Sequence, residues 1–198
     1  MKTIYKLILI TLLILHSNYI VANNAEDWLN KLNEEIKRNP QDISLLQKKV
    51  MVLDELGIWK ELLKTANNLL ILAPNSSQTY YYKGKALAGL GNYKKAIEAY
   101  DSSIKLNPKN IDAHFLKASI LYQLENYQEA VNEHNKIIEI NPHIAGAYFF
   151  KAVVLNKLNL YPQALTTIKK ALEIEPTNSM YIEARDDLQK RVKEKASK

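Results

Sequence analysis

Five of the six prolines, Pro40, Pro74, Pro108, Pro142 and Pro176, stand 34 residues apart. A single irregular globule has no reason to produce that interval, so the chain reads as a tandem repeat. Within Ser77 to Asn110, apolar residues at Tyr80, Gly84, Leu87 and Leu90 fall three to four apart. Gly91-Asn92 interrupts them, and Tyr93, Ala96, Ile97, Tyr100 and Ile104 resume the spacing. That pattern predicts two amphipathic helices joined by a tight turn. Gly91 suits a left-handed residue closing the first helix, and Pro108 ends the second by lacking a backbone donor.

The same unit recurs without insertion over residues 43–76, 77–110, 111–144 and 145–178. The slot before each first helix holds Asp42, Ser76, Asn110, Ile144 and, before the last segment, Asn178. All but Ile144 are residues whose short side chains accept from free helix amides, so the helix after Ile144 is expected to fray more readily. Pro162 follows Tyr161 at the start of a second helix, where a missing donor costs little. A helix over 23–40, with Asn24 as cap and Trp28, Leu32 and Ile36 on one face, is expected to cover the start of the array. Residues 179–198 are read as a closing helix and tail, with Ile182, Leu188 and Val192 on a narrow apolar face.

Residues 1–22 differ in kind. Lys2 and Lys6 precede the apolar run Leu7 to Leu15, and a more polar stretch ends at Ala22, the layout of a secretory signal peptide. An exported protein, periplasmic or secreted, is the expectation. The alternative is an uncleaved anchor in the inner membrane facing the periplasm, since Ile4 to Ala22 carries no charge except Lys6. The chain has no cysteine, which excludes disulfides, thiol chemistry and cysteine-ligated zinc. Removing Lys2 and Lys6 takes the net charge from +6 to +4, scattered over helices of mixed sign. Nucleic acid is not an expected partner.

With each repeat numbered from Ile43, Ser77, Ile111 and Ala145, the eighth slot holds Val50, Gly84, Ala118 and Ala152. The seventeenth holds Trp59, Tyr93, Tyr127 and Tyr161, and the twentieth Leu62, Ala96, Ala130 and Ala164. Over nearly all of residues 24 to 195 the sequence resembles the tetratricopeptide repeat family, with repeat one departing at Val50 and Leu62. The resemblance implies an all-α fold, a right-handed α-solenoid of antiparallel helix pairs whose hairpins bury their apolar surface only against neighbours. It also implies that the first helices line a concave wall.

On that wall the expected partner-binding residues are Gln78, Tyr81, Lys85, Phe115, Ser119, Tyr122, Phe149 and Asn156. Tyr81, Phe115 and Phe149 would form a row of rings, where soluble helices ordinarily place polar residues. The row either grips a peptide or packs along the ridge between helices. The family's carboxylate clamp, a Lys and an Asn at the fifth and ninth slots, is absent, because those slots hold Gln47 and Met51, Tyr81 and Lys85, Phe115 and Ser119, and Phe149 and Val153. Lys49, Lys83, Lys117 and Lys151 recur at the seventh slot and are read as packed stems with ammonium groups at the edge, the alternative being an anion-binding track.

His114 and His134 occupy slots the family fills with buried rings and are read as core or half-core residues, so no metal is expected. No glycine-rich phosphate loop, nucleophile elbow or convergent acid and base set is present, so neither a cofactor nor catalysis is expected. The functional expectation is a scaffold binding protein or peptide partners, with a polysaccharide-binding or export-associated scaffold of the cell envelope as the alternative, a catalytic site buried in the helical array as the less favoured reading, and membrane contact only through an uncleaved leader.

Overall fold

The computed structural model describes residues 25–196, so the leader read over 1–22 and the Asn24 cap lie outside the described residues. All described secondary structure is helical. Helix α1 covers residues 25–38. It is followed by α2 (Ile43–Glu55), α3 (Trp59–Leu72), α4 (Ser77–Gly89), α5 (Tyr93–Leu106) and α6 (Ile111–Gln123). Then come α7 (Tyr127–Ile140), α8 (Ala145–Lys157), α9 (Tyr161–Ile174) and α10 (Ser179–Ala196). The fold is an all-α helical-repeat solenoid, and its contacts divide the chain into two compact units between Ala99 and Tyr100, inside α5.

The local signals act as read. Asp42, Ser76 and Asn110 each accept from the amide three residues on, whereas Ile144 leaves α8 without a side-chain cap. At every hairpin turn the fifteenth slot is left-handed: Gly57 at φ 67°, Gly91 at 76°, Glu125 at 60° and Asn159 at 57°. The surrounding hydrogen bonds are also shared. Gly57 N–H donates to Asp54 and Ile58 N–H to Leu53, and the pattern recurs as Glu125 to Tyr122 with Asn126 to Leu121. This is the Schellman closure that spends orphan carbonyls at a helix end. Glycine takes that conformation freely, while Glu125 holds it at a cost of about 1 kcal/mol.

In the first unit, Leu29, Leu46, Val50, Leu53, Leu62, Leu69 and Ala86 form the core, with Trp59 and Tyr82 packed against it. Val50 and Leu62, where the family prefers small residues, are fully buried. Trp28 is 54% exposed, and Leu29 takes the buried place expected for it. Leu29, Leu32 and Ile36 still follow helical spacing, so the apolar stripe is shifted by one residue. Gly89 is a close-approach position, because a Cβ there would stand 2.5 Å from the Trp59 ring.

In the second unit, α6 packs on α7, α7 on α8, α8 on α9 and α9 on α10. Ala118, Ala130, Ala152 and Ala164 are buried at the helix crossings, where small side chains let backbones approach. The closing helix buries Tyr181 and Leu188, so Tyr181 takes the place expected for Ile182.

Candidate functional site

The second unit carries a hollow of about 480 Å³ between α6, α7 and α8. Phe115, Ser119 and Tyr122 line it from α6, His134 from α7, and Phe149, Phe150 and Val153 from α8. Residues three and four apart on a helix share a face, which brings Phe115, Ser119 and Tyr122 onto one wall. Ring packing then ties the walls together. Phe150 stands edge-on to Phe149 at 5.1 Å and to Phe115 at 6.3 Å, and it stacks on His134 at 6.1 Å. Tyr122 lies edge-on to Tyr127 at 5.6 Å. Yet 49% of Phe150 remains exposed, so a large apolar ring is left at the mouth of an apolar hollow.

No charged side chain lines this hollow. His134 is 4% exposed, and burial pushes its pKa down to about 4 despite the attraction of Glu133, with Lys151 adding repulsion. The ring is therefore neutral at physiological pH, and its Nδ1 is a buried nitrogen without a partner.

Beside it runs an ionic chain through α5, α6 and α7. Lys117 Nζ lies 2.7 Å from Asp101 and 2.6 Å from Glu133, and the Glu133 carboxylate accepts from His114 Nδ1 at 2.6 Å. The second His114 nitrogen faces the Pro108 carbonyl at 3.2 Å. Burial alone would raise the Glu133 pKa, but hydrogen bonds from His114 and Lys117 outweigh it and hold the carboxyl below its ordinary range. Burial likewise opposes the charge on Lys117, and its two carboxylates prevail and raise its pKa. Among the described residues no cluster of three or more His, Asp or Glu could hold a metal ion.

The eight residues read from the sequence separate into groups. Phe115, Ser119, Tyr122 and Phe149 come together in the hollow. Phe149 also stacks on Tyr181 of α10 at 4.9 Å, so one of its faces is spent on packing. Asn156 is half-buried outside the lining, with its Oδ1 unpaired.

Gln78, Tyr81 and Lys85 belong to the first unit. Gln78 is exposed, Tyr81 packs edge-on against Tyr82 at 5.3 Å, and Lys85 is bound to Asp54 at 2.5 Å rather than free for a partner. Two of the four seventh-slot lysines differ from the expectation in the same way. Lys49 pairs with Glu61 at 2.6 Å and Lys117 with Glu133, so these ammonium groups end in ion pairs, not at the edge. Phe150 and His134 were not singled out from the sequence as site residues. Their signal was the adjacency of Phe149 to Phe150 and a histidine in a slot the family fills with a ring.

Two family models match the sequence. Residues 57–137 match the anaphase-promoting complex, cyclosome, subunit 3 family, and residues 145–178 match the tetratricopeptide repeat family. No curated protein sequence matches the chain significantly. Among solved structures, MamA is 22% identical with a TM-score of 0.73, covering 80% of this chain and 87% of its own. YrrB, described as a TPR protein with an unusual peptide-binding site, is 20% identical with a TM-score of 0.70, covering 83% of this chain and 84% of its own. A tetratricopeptide repeat protein from Parabacteroides merdae is 19% identical with a TM-score of 0.73, covering 91% of this chain and 72% of its own. These likenesses are of fold, and with the two family matches and the 34-residue period they support a tetratricopeptide repeat protein, the kind of helical array that serves in general as a protein-interaction scaffold.

Proposed function

We propose that the chain is an exported, non-catalytic scaffold that holds a protein or peptide partner through the hollow between α6, α7 and α8. The observation that carries this reading is the ring-lined, charge-free hollow with Phe150 half-exposed at its edge. Its volume lies in the range of ligand pockets, about 300 to 1,000 Å³. A sugar would require several convergent donors and acceptors, and Ser119, Tyr122 and the one buried imidazole are too few. An apolar side chain projecting from a partner satisfies the lining better. Export rests on Lys2, Lys6 and the apolar run Leu7 to Leu15.

Peptide-display selection on the purified chain, followed by calorimetry on the selected peptide, tests the groove. Ser119→Arg places a charge in an exposed position of the hollow without removing a core residue. Affinity should fall at least tenfold. Unchanged affinity would overturn the groove reading, and binding confined to a glycan array would transfer the function to polysaccharide. Amino-terminal sequencing of the protein recovered from expressing cells should begin after Ala22.

A further inference from the structure

The repeats provide an internal control for the lysine of the seventh slot. In repeat one, Lys49 meets Glu61 of its own hairpin, and in repeat three, Lys117 meets Glu133 of its own hairpin and Asp101 of the preceding helix. Moved by whole 34-residue periods, those three carboxylate positions become Gln163, Thr167 and Asn135 around Lys151. All are neutral. Lys151 accordingly forms no ion pair or hydrogen bond among the described residues.

It lines instead a hollow of about 430 Å³ at the α8 and α9 hairpin, with Leu155, Pro162, Gln163, Thr166 and Thr167. Both threonine hydroxyls donate to carbonyls of their own helix, to Pro162 at 3.0 Å and to Gln163 at 2.8 Å. The Lys151 ammonium and the Gln163 amide are therefore the donors left over. Burial holds the Lys151 pKa below the usual lysine value. At Lys83 the two hairpin slots hold Lys95 and Ala99, and only the preceding helix, through Asn67, offers an amide, so the pairing of this lysine with an amide of its own hairpin belongs to repeat four.

We propose that the α8 and α9 hairpin carries a carboxylate-binding site, in which the Lys151 ammonium and the Gln163 amide receive from outside the carboxylate that Glu61 and Glu133 provide elsewhere in the chain. The class of ligand follows from the siblings, since both paired lysines hold a carboxylate oxygen at 2.6 Å. The site lies on a different part of α8 from the ring-lined hollow: Lys151 and Leu155 face it, whereas Phe149 and Val153 face the rings. Its ligand could be a free small carboxylate or an acidic side chain of a protein, and the same chemistry serves both.

The test follows the Lys151 side-chain carbon signal by NMR in the full chain, labelled at lysine. Sodium acetate and a blocked tetraglutamate peptide are titrated against sodium chloride at matched ionic strength. Lys151 should shift saturably with both carboxylate probes, several-fold more than exposed Lys169 and Lys170. Binding of the peptide at least tenfold tighter per carboxylate identifies a protein source, and equal binding identifies a free carboxylate. Thr167→Glu supplies the carboxylate internally and should abolish the response. Lys151→Gln, checked for native helicity by circular dichroism, removes the signal and should lower peptide affinity at least fivefold. A Lys151 response no larger than that of Lys169, or a Thr167→Glu chain that responds like the parent, would mean an adventitious ion only and overturn the site.

Discussion

His134 makes the stability of the second unit depend on pH in a calculable way. An ordinary histidine titrates at 6.5, and the buried ring sits at about 4. Between those values the unfolded chain binds a proton that the folded chain does not, so stability rises with pH across the window. The contribution is complete above pH 6.5 and is lost as pH falls toward 4, where the folded ring protonates. About 2.5 units at about 1.4 kcal/mol each give a loss on the order of 3 kcal/mol. Glu133 acts in the same direction at lower pH, because its lowered pKa contributes stability above the ordinary 4.5 that is lost as pH falls through the folded value. His134→Phe separates the two. It keeps a ring against Phe115 and Phe150, removes the unpaired Nδ1, and leaves Glu133 in place. Urea unfolding followed by circular dichroism from pH 8 to pH 4 should show the parent losing about 3 kcal/mol more than the variant, with the variant at least as stable at pH 7. Parallel curves for the two proteins between pH 6.5 and 4 would refute the reasoning.

Glu125→Gly relieves a left-handed glutamate and should stabilise the chain by about 0.5 kcal/mol, the relief being partly offset by the freer unfolded glycine; a lower melting temperature would contradict the turn geometry. Gly89→Ala drives a Cβ into the Trp59 ring, whose nearest carbon stands 2.5 Å away. The net cost should be about 1 to 2 kcal/mol, since overpacking exceeds the gain in helix propensity, and the shift of Trp59 should be visible in tryptophan fluorescence.

The periodic features were legible because each is local. Asp42, Ser76 and Asn110 cap as read, and Gly57 and Gly91 turn as glycine should. The misplacements share one cause, which is that a helical wheel fixes a direction but not a neighbour. Trp28 and Leu29 differ by one position on the wheel, and only the packing of α2 and α3 decides which is buried. Lys85 reads in the sequence as a concave-face residue of α4, and its ammonium is taken by Asp54, 31 residues away. Within the candidate site, the first-helix rings Phe115 and Phe149 were readable from slot and face. Phe150 and His134 were not, since their role depends on an α7 side chain reaching between α6 and α8.

The four hairpin turns keep one backbone conformation while their fifteenth residue changes from glycine to glutamate to asparagine. The joint is therefore specified by main-chain hydrogen bonds, and the side chain there only adjusts its cost. Such a joint is a standard coupling: a poor residue at one turn is a local debit that leaves the next hairpin's start unaltered. A chain assembled this way can accumulate substitutions turn by turn, or gain and lose whole 34-residue modules, without the register of its remaining helices having to be found again.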